Sequence, residues 1–259
     1  MATFTGSILT VEYPSDRPVA VLTLNAPPYN IVTIPTREHL GAIFQEIETR
    51  PDVRIVVIQG QGEHFSSGGD IAGFLNETPE YLSHLAWNVS APERCSKPVI
   101  AKLCGYTFGV GLEMALACDL RFAADNTVLA FPEMRLGMIP GSGGTQRLAR
   151  LVGLGRAKDM ILRSRRIGAQ EALKWGLLTE VTAYDQLDHR LWTTVDELLQ
   201  FSPLAQKLGK LALNESADSS LHTGLTLEGR MYGFLRTSQD FQEGVQAFKE
   251  KRSPHFTGK

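Results

Sequence analysis

Two short apolar runs, Ile55-Val56-Val57-Ile58 and Val99-Ile100-Ala101-Lys102-Leu103, each end in a glycine-rich stretch. Runs this short, with almost no polar alternation, predict strands buried on both faces, which is the environment of a parallel sheet. The first leads into a polar loop through Gly60, Gly62 and Gly68-Gly69. The second ends at Gly105-Tyr106 and runs into Gly109-Val110-Gly111-Leu112-Glu113-Met114-Ala115-Leu116-Ala117-Cys118. Strand, glycine loop and helix thus recur twice, and the chain is predicted to be α/β.

Elements of both periods surround these units. Ile8 to Tyr13 and Val19 to Leu24 read as strands parted by Pro14-Ser15-Asp16. Leu40, Ile43, Phe44 and Ile47 recur at helical spacing and stop near Arg50-Pro51. Beyond Gly141 the pattern is helical: 145–152, 157–162, 169–175, 187–199, 203–213 and a terminal segment 225–251. Gly153-Leu154-Gly155 reads as a loop. The expected division is a larger α/β core over 1–195 and a smaller helical part over 196–259, with no linker rich in Pro, Ser or Gly.

Glu113 is the anomaly. A carboxylate in so apolar a run is costly to bury unless it is protonated, paired or hydrogen-bonded. Such sites are candidates for chemistry. A second carboxylate, Glu133, follows Phe131-Pro132. Structural readings exist for both: Glu113 paired with Arg121 or Arg135, and Glu133 opening a short helix after Pro132. Two carboxylates held in different protonation states can instead supply a base and an acid. Backbone N–H groups of the Gly68-Gly69 loop and the Gly109-Val110-Gly111 turn are the available donors to a developing oxyanion.

Other chemistries fail on residue identity. Met114 stands where GxGxxG needs its third glycine, and Gly141-Ser142-Gly143-Gly144-Thr145 lacks the lysine of a P-loop. Ser66, Ser67 and Ser142 lie outside any GxSxG elbow and read as turn residues. Six scattered histidines offer no metal-ligand spacing. A net charge of −2 gives no footprint for nucleic acid, and the cluster Arg163, Arg165, Arg166 reads as a solvated turn. Cys95, Cys104 and Cys118 have no CxxC spacing and read as buried thiols. Met1 to Gly6 lacks the features of a leader, and no run reaches the roughly 18 apolar residues of a membrane helix. A cytoplasmic location is expected.

The loop His64-Phe65-Ser66-Ser67-Gly68-Gly69-Asp70-Ile71 and the segment from Lys97-Pro98 through Gly109-Val110-Gly111-Leu112-Glu113 resemble the two oxyanion loops of the enoyl-CoA hydratase/isomerase (crotonase) superfamily. Phe131-Pro132-Glu133, Ile139 to Leu148, and the tail from Gly244 to Arg252 are similar to the stretches that follow. The resemblance implies a spiral of ββα turns with a helical C-terminal region that builds a homotrimer or a dimer of trimers. It implies an acyl-CoA thioester substrate and no further cofactor or metal. By position, the thioester oxygen falls to the N–H groups of Gly69 and Val110, and catalysis to Glu113 and Glu133, the latter donating a proton to C2. Gly68, Gly69, Asp70, Ile71, Val110, Phe248 and Lys251 fall at substrate- and CoA-binding places.

Three departures stand out. Val110 is the middle residue of the family's usual Gly-Gly-Gly turn, so its isopropyl group must point away from the thioester or narrow the pocket. Gly69 stands where alanine is frequent. Tyr29 to Pro35 replaces the usual Asn-Ala-Leu pattern near the substrate entrance. Family isomerases keep one carboxylate, at the place of Glu133, so both glutamates favour hydration; double-bond isomerisation, or another acyl-CoA transformation on this fold, is the alternative. An acyl-CoA-binding subunit with little activity is the reading from a different class.

Overall fold

The computed structural model of the protein describes residues 5–259; Met1 to Phe4, the start of the segment read as leaderless, lie outside them. Two compact units divide the chain: one contains the residues up to Cys95 and 99–191, the other 96–98 and 192–259.

In the first unit, β1 (Leu9–Glu12), β2 (Val19–Leu24), β3 (Ile55–Gly60), β4 (Val99–Leu103), β6 (Leu120–Ala124) and β9 (Glu180–Thr182) form one sheet in that order. Only β1–β2 is antiparallel. All six residues of β2 and the first four of β3 are buried, as expected for strands covered on both faces. A second sheet contains β5 (Tyr106–Phe108), β7 (Val128–Ala130) and β8 (Ile167–Gly168). Because β5 follows β4 after two residues, the glycine turn at 109 leaves from this second sheet.

Helix α1 (Ile34–Thr49) starts at the Thr33 cap, whose Oγ1 accepts from the Thr36 N–H. It buries Leu40, Ile43, Phe44 and Ile47 on one face, and that face also carries Arg37. Five short helices follow in this unit: α2 (Ile71–Phe74), α3 (Pro79–Val89), α4 (Ala91–Arg94), α5 (Val110–Leu116) and α6 (Gly144–Val152). Two more, α7 (Leu154–Leu162) and α8 (Ala169–Lys174), precede β9. The expected loop at 153–155 is corrected here: Gly153 alone breaks the helices, ending α6 and capping α7, while Leu154 and Gly155 are helical.

Helix α9 (Leu187–Leu199) contains both the break between the units at Leu191 and Trp192 and the expected division at 195. The second unit continues with α10 (Pro203–Glu215), α11 (Leu221–Leu235) and α12 (Gln239–Glu250). Each of these three begins with a serine cap: Ser202, Ser220 and Ser238 accept from the N–H of Ala205, Thr223 and Phe241. The expected terminal segment 225–251 is therefore two helices, parted at Ser238. Buried Asp240 binds the tail, accepting from the N–H groups of Thr257 and Gly258.

Candidate active site

The loop from Phe65 to Asp70 is held by two single-residue bridges. Ser66 takes its pair of bonds from β5, donating to Tyr106 O and accepting from the Phe108 N–H. Val32 donates to Gly68 O and accepts from the Asp70 N–H, which leaves the Gly69 N–H turned away from Val32 and without an acceptor among the described residues. Asn30, fully buried at φ 48°, anchors the loop: its Oδ1 accepts from the Ala26 N–H, and its Nδ2 donates to Gln61 O and His64 O. Ser66 Oγ donates to Asn30 O and accepts from the Gly68 N–H. Replacing Asn30 by Ala removes three part-buried hydrogen bonds at a left-handed residue. We expect Asn30→Ala to lower stability by about 2–4 kcal/mol, read by denaturant unfolding.

The second donor lies at the start of α5. Gly109 adopts φ 51°, ψ −127°, a backbone that demands glycine, and a Cβ there would press on Glu133 Oε1 at 2.8 Å. Val110 is the first residue of α5, where a helix leaves its N–H unsatisfied. Its side chain is buried and turns toward Gly69: Cγ1 is 3.6 Å from where a Gly69 Cβ would stand.

Glu113 is 2% exposed, and its Oε1 accepts from the N–H groups of Ser142 (2.6 Å) and Gly144 (2.9 Å). The pairing with Arg121 or Arg135 is not found: Arg121 donates to Leu177 O and Cys118 O instead. Burial pushes the Glu113 carboxyl up, opposed by those two N–H donors and by the charges of Arg37 and Arg147. Glu133 opens a 3₁₀ turn, Glu133–Leu136, behind Pro132. Its buried Oε2 has no hydrogen-bond partner among the described residues. Burial first, and then the charge of Glu113, push this carboxyl up to about 7, against the pull of its own backbone N–H and of Arg37. The two acids thus differ in support: one is held by donors that favour its anion, the other has none on Oε2.

Both face a cavity of about 170 Å³ whose wall also includes Gly68, Gly69, Ile71 and Val110. Apolar side chains from α2, α3 and the segment after Glu133 (Phe74, Leu82, Leu85, Met138 and Ile139) complete it. Asp70 is not in that wall; its Oδ1 caps α2 by accepting from the Gly73 N–H. Phe248 and Lys251 belong to the second unit. Phe248 is 86% exposed on α12, and Lys251 ends that helix in the left-handed region at φ 55°. Two site residues escaped the sequence reading. Ser142, read as a turn residue, supplies an N–H to Glu113 and accepts from Arg37 Nη1 at 3.2 Å. Arg37 lines the cavity and is 7% exposed. Its signal was present, a lone arginine on the apolar stripe of α1. Among the described residues, no group of three His, Cys, Asp or Glu is placed to hold a metal ion.

Comparison with known proteins places the chain in a family. The sequence profile of the enoyl-CoA hydratase/isomerase family matches residues 15–259. The short-chain-enoyl-CoA hydratase of Clostridium acetobutylicum is 35% identical over 240 residues, covering 90% of this chain and 92% of that protein. The 2,3-dehydroadipyl-CoA hydratase of Escherichia coli is 34% identical over 248 residues, covering 93% and 96%. The crystal structure of an enoyl-CoA hydratase from Bacillus anthracis has a TM-score of 0.91 at 35% identity, covering 98% of this chain and all of that one. With nine-tenths or more of its length matched at this level, the chain belongs to the enoyl-CoA hydratase/isomerase (crotonase) family.

Proposed function

We propose that the chain is an enoyl-CoA hydratase that adds water across the 2,3-double bond of a 2-enoyl-CoA thioester with an apolar acyl chain. One observation carries the reading: two acids of unlike support, Glu113 and Glu133, share an apolar cavity with the acceptor-free N–H groups of Gly69 and Val110. The thioester oxygen accepts from those two N–H groups, which draws electron density from C3. Glu113 takes a proton from water as its oxygen bonds to C3, and the double-bond electrons move toward the thioester oxygen. Protonated Glu133 delivers its proton to C2, and the proton left on Glu113 then restores Glu133. The apolar walls exclude all but the reacting water.

Phe248 and Lys251 as contacts to the CoA moiety, with Asp70 supporting its loop, are part of this reading. So is a trimer, or a dimer of trimers, built through the second unit, where Leu213, Leu221, Tyr232, Phe234 and Phe248 are exposed. A cytoplasmic location suits the three free, buried cysteines. No helix among the described residues is long and apolar enough to cross a membrane.

Incubation with crotonyl-CoA tests the function. The conjugated absorbance should fall as 3-hydroxybutyryl-CoA forms. Conversion of 3-enoyl-CoA to 2-enoyl-CoA without hydration would assign the isomerase instead. Binding of butyryl-CoA without turnover of any enoyl thioester would leave only a binding subunit.

A further inference from the structure

Arg37 is a buried guanidinium with no carboxylate of the described residues in direct contact. Its Nη1 donates to Ser142 Oγ, its Nε has no partner, and its Cζ lies 5.0 Å from the Phe74 ring centroid. An isolated buried cation is expensive, so the charge must be balanced across the cavity. The groups that face it are Glu113 from α5 and Glu133 from the turn after β7. Arg147, from α6, also acts on Glu113, but it is engaged by Glu93 and by Ser142 O and is not in the cavity wall. Ser142 joins the opposite charges, giving its N–H to Glu113 and its Oγ to Arg37.

Residue 69 explains how the cation enters. A Cβ at Gly69 would stand 2.9 Å from Arg37 Nη2, whereas Val110 would remain at an ordinary 3.6 Å. Glycine at this place is therefore matched to Arg37, and it brings the guanidinium beside the residue whose N–H is free.

We infer that Arg37 is the internal cation of the site, admitted by the missing side chain at residue 69, and that it stabilises both the Glu113 anion and the enolate formed at the Gly69 N–H. The inference rests on the hydratase reading for its enolate, but one of its tests needs no turnover. Acetoacetyl-CoA is a β-keto thioester whose enolate absorbs where the keto form does not. Arg37→Met should weaken binding of that enolate about tenfold or more while leaving butyryl-CoA affinity within about twofold, with Arg37→Lys restoring part of the difference.

Loss of the cation also removes a charge that holds both carboxyl pKa values down, so both limbs of the pH–rate profile should move to higher pH. Gly69→Ala displaces only the end of a flexible side chain. It should keep its melting temperature within a few degrees, shift the pH profile as Arg37→Met does, and add no further loss to the Arg37→Met variant. Equal weakening of acetoacetyl-CoA and butyryl-CoA, or unmoved pH limbs, would assign Arg37 to packing and overturn the inference. Failure of crotonyl-CoA hydration with enolate binding still dependent on Arg37 would remove the hydratase reading alone.

Discussion

Glu133→Gln should lower the hydration rate by about 10²–10⁴-fold and, above neutral pH, make the protein harder to unfold. The activity loss follows from the proton that Glu133 gives to C2, which an amide cannot supply. In the parent protein, turnover needs the protonated acid, so the rate should fall as pH rises through about 7. That basic limb should vanish from the residual activity of the variant.

The stability effect has the opposite sign. A carboxyl raised from its ordinary 4.5 to about 7 binds its proton more tightly in the folded state than in the unfolded one. Stability therefore falls as pH rises between those values, reaching a cost of up to about 3 kcal/mol once the group is ionised in both states. Gln carries no such charge. At pH 8 the variant should melt roughly 5 °C higher than the parent, and at pH 4 the two should nearly coincide. A variant that lost activity and stability together at pH 8 would show that Glu133 is a structural group and not a strained acid.

What was legible in the sequence follows burial. Val19–Leu24 and Val99–Leu103 were read with their observed bounds because two-sided burial removes polar residues from a strand. The second sheet was missed because its strands, β5, β7 and β8, are two or three residues long and show no period. Helix α3 buries only Leu85 and Val89, so its periodicity is faint, and its start at the Thr78 cap was not read. At the site, Glu113 and the glycines were legible because each breaks a local rule: an acid in an apolar helix, and backbone without side chains. The two-bond cradle on Glu113 could not be read, since Ser142 and Gly144 lie 29 and 31 residues away and act through backbone N–H groups that carry no side-chain signature. The same holds for the Gly69–Arg37 fit, which joins a helix stripe to a loop and exists only in three dimensions.

The other large effect concerns Glu113, where Gln and Leu should part company. Glu113→Gln keeps a carbonyl oxygen for the N–H groups of Ser142 and Gly144, and it removes a buried charge whose desolvation outweighs its stabilising partners. It should fold with unchanged or slightly higher stability and still bind butyryl-CoA. Hydration should drop about 10²–10⁴-fold, because an amide cannot accept the proton of water. Glu113→Leu is similar in volume but leaves two buried N–H groups unpaired, at about 1–3 kcal/mol each. Its stability should fall accordingly, and the segment 141–144 that carries Ser142 should lose amide-exchange protection. Arg37 would lose its oriented acceptor in the same step, so the Leu variant should also bind the acetoacetyl-CoA enolate more weakly than the Gln variant does. If Gln proved as destabilising as Leu, the cradle would require the carboxylate charge itself, and the base and the scaffold would be one function of Glu113.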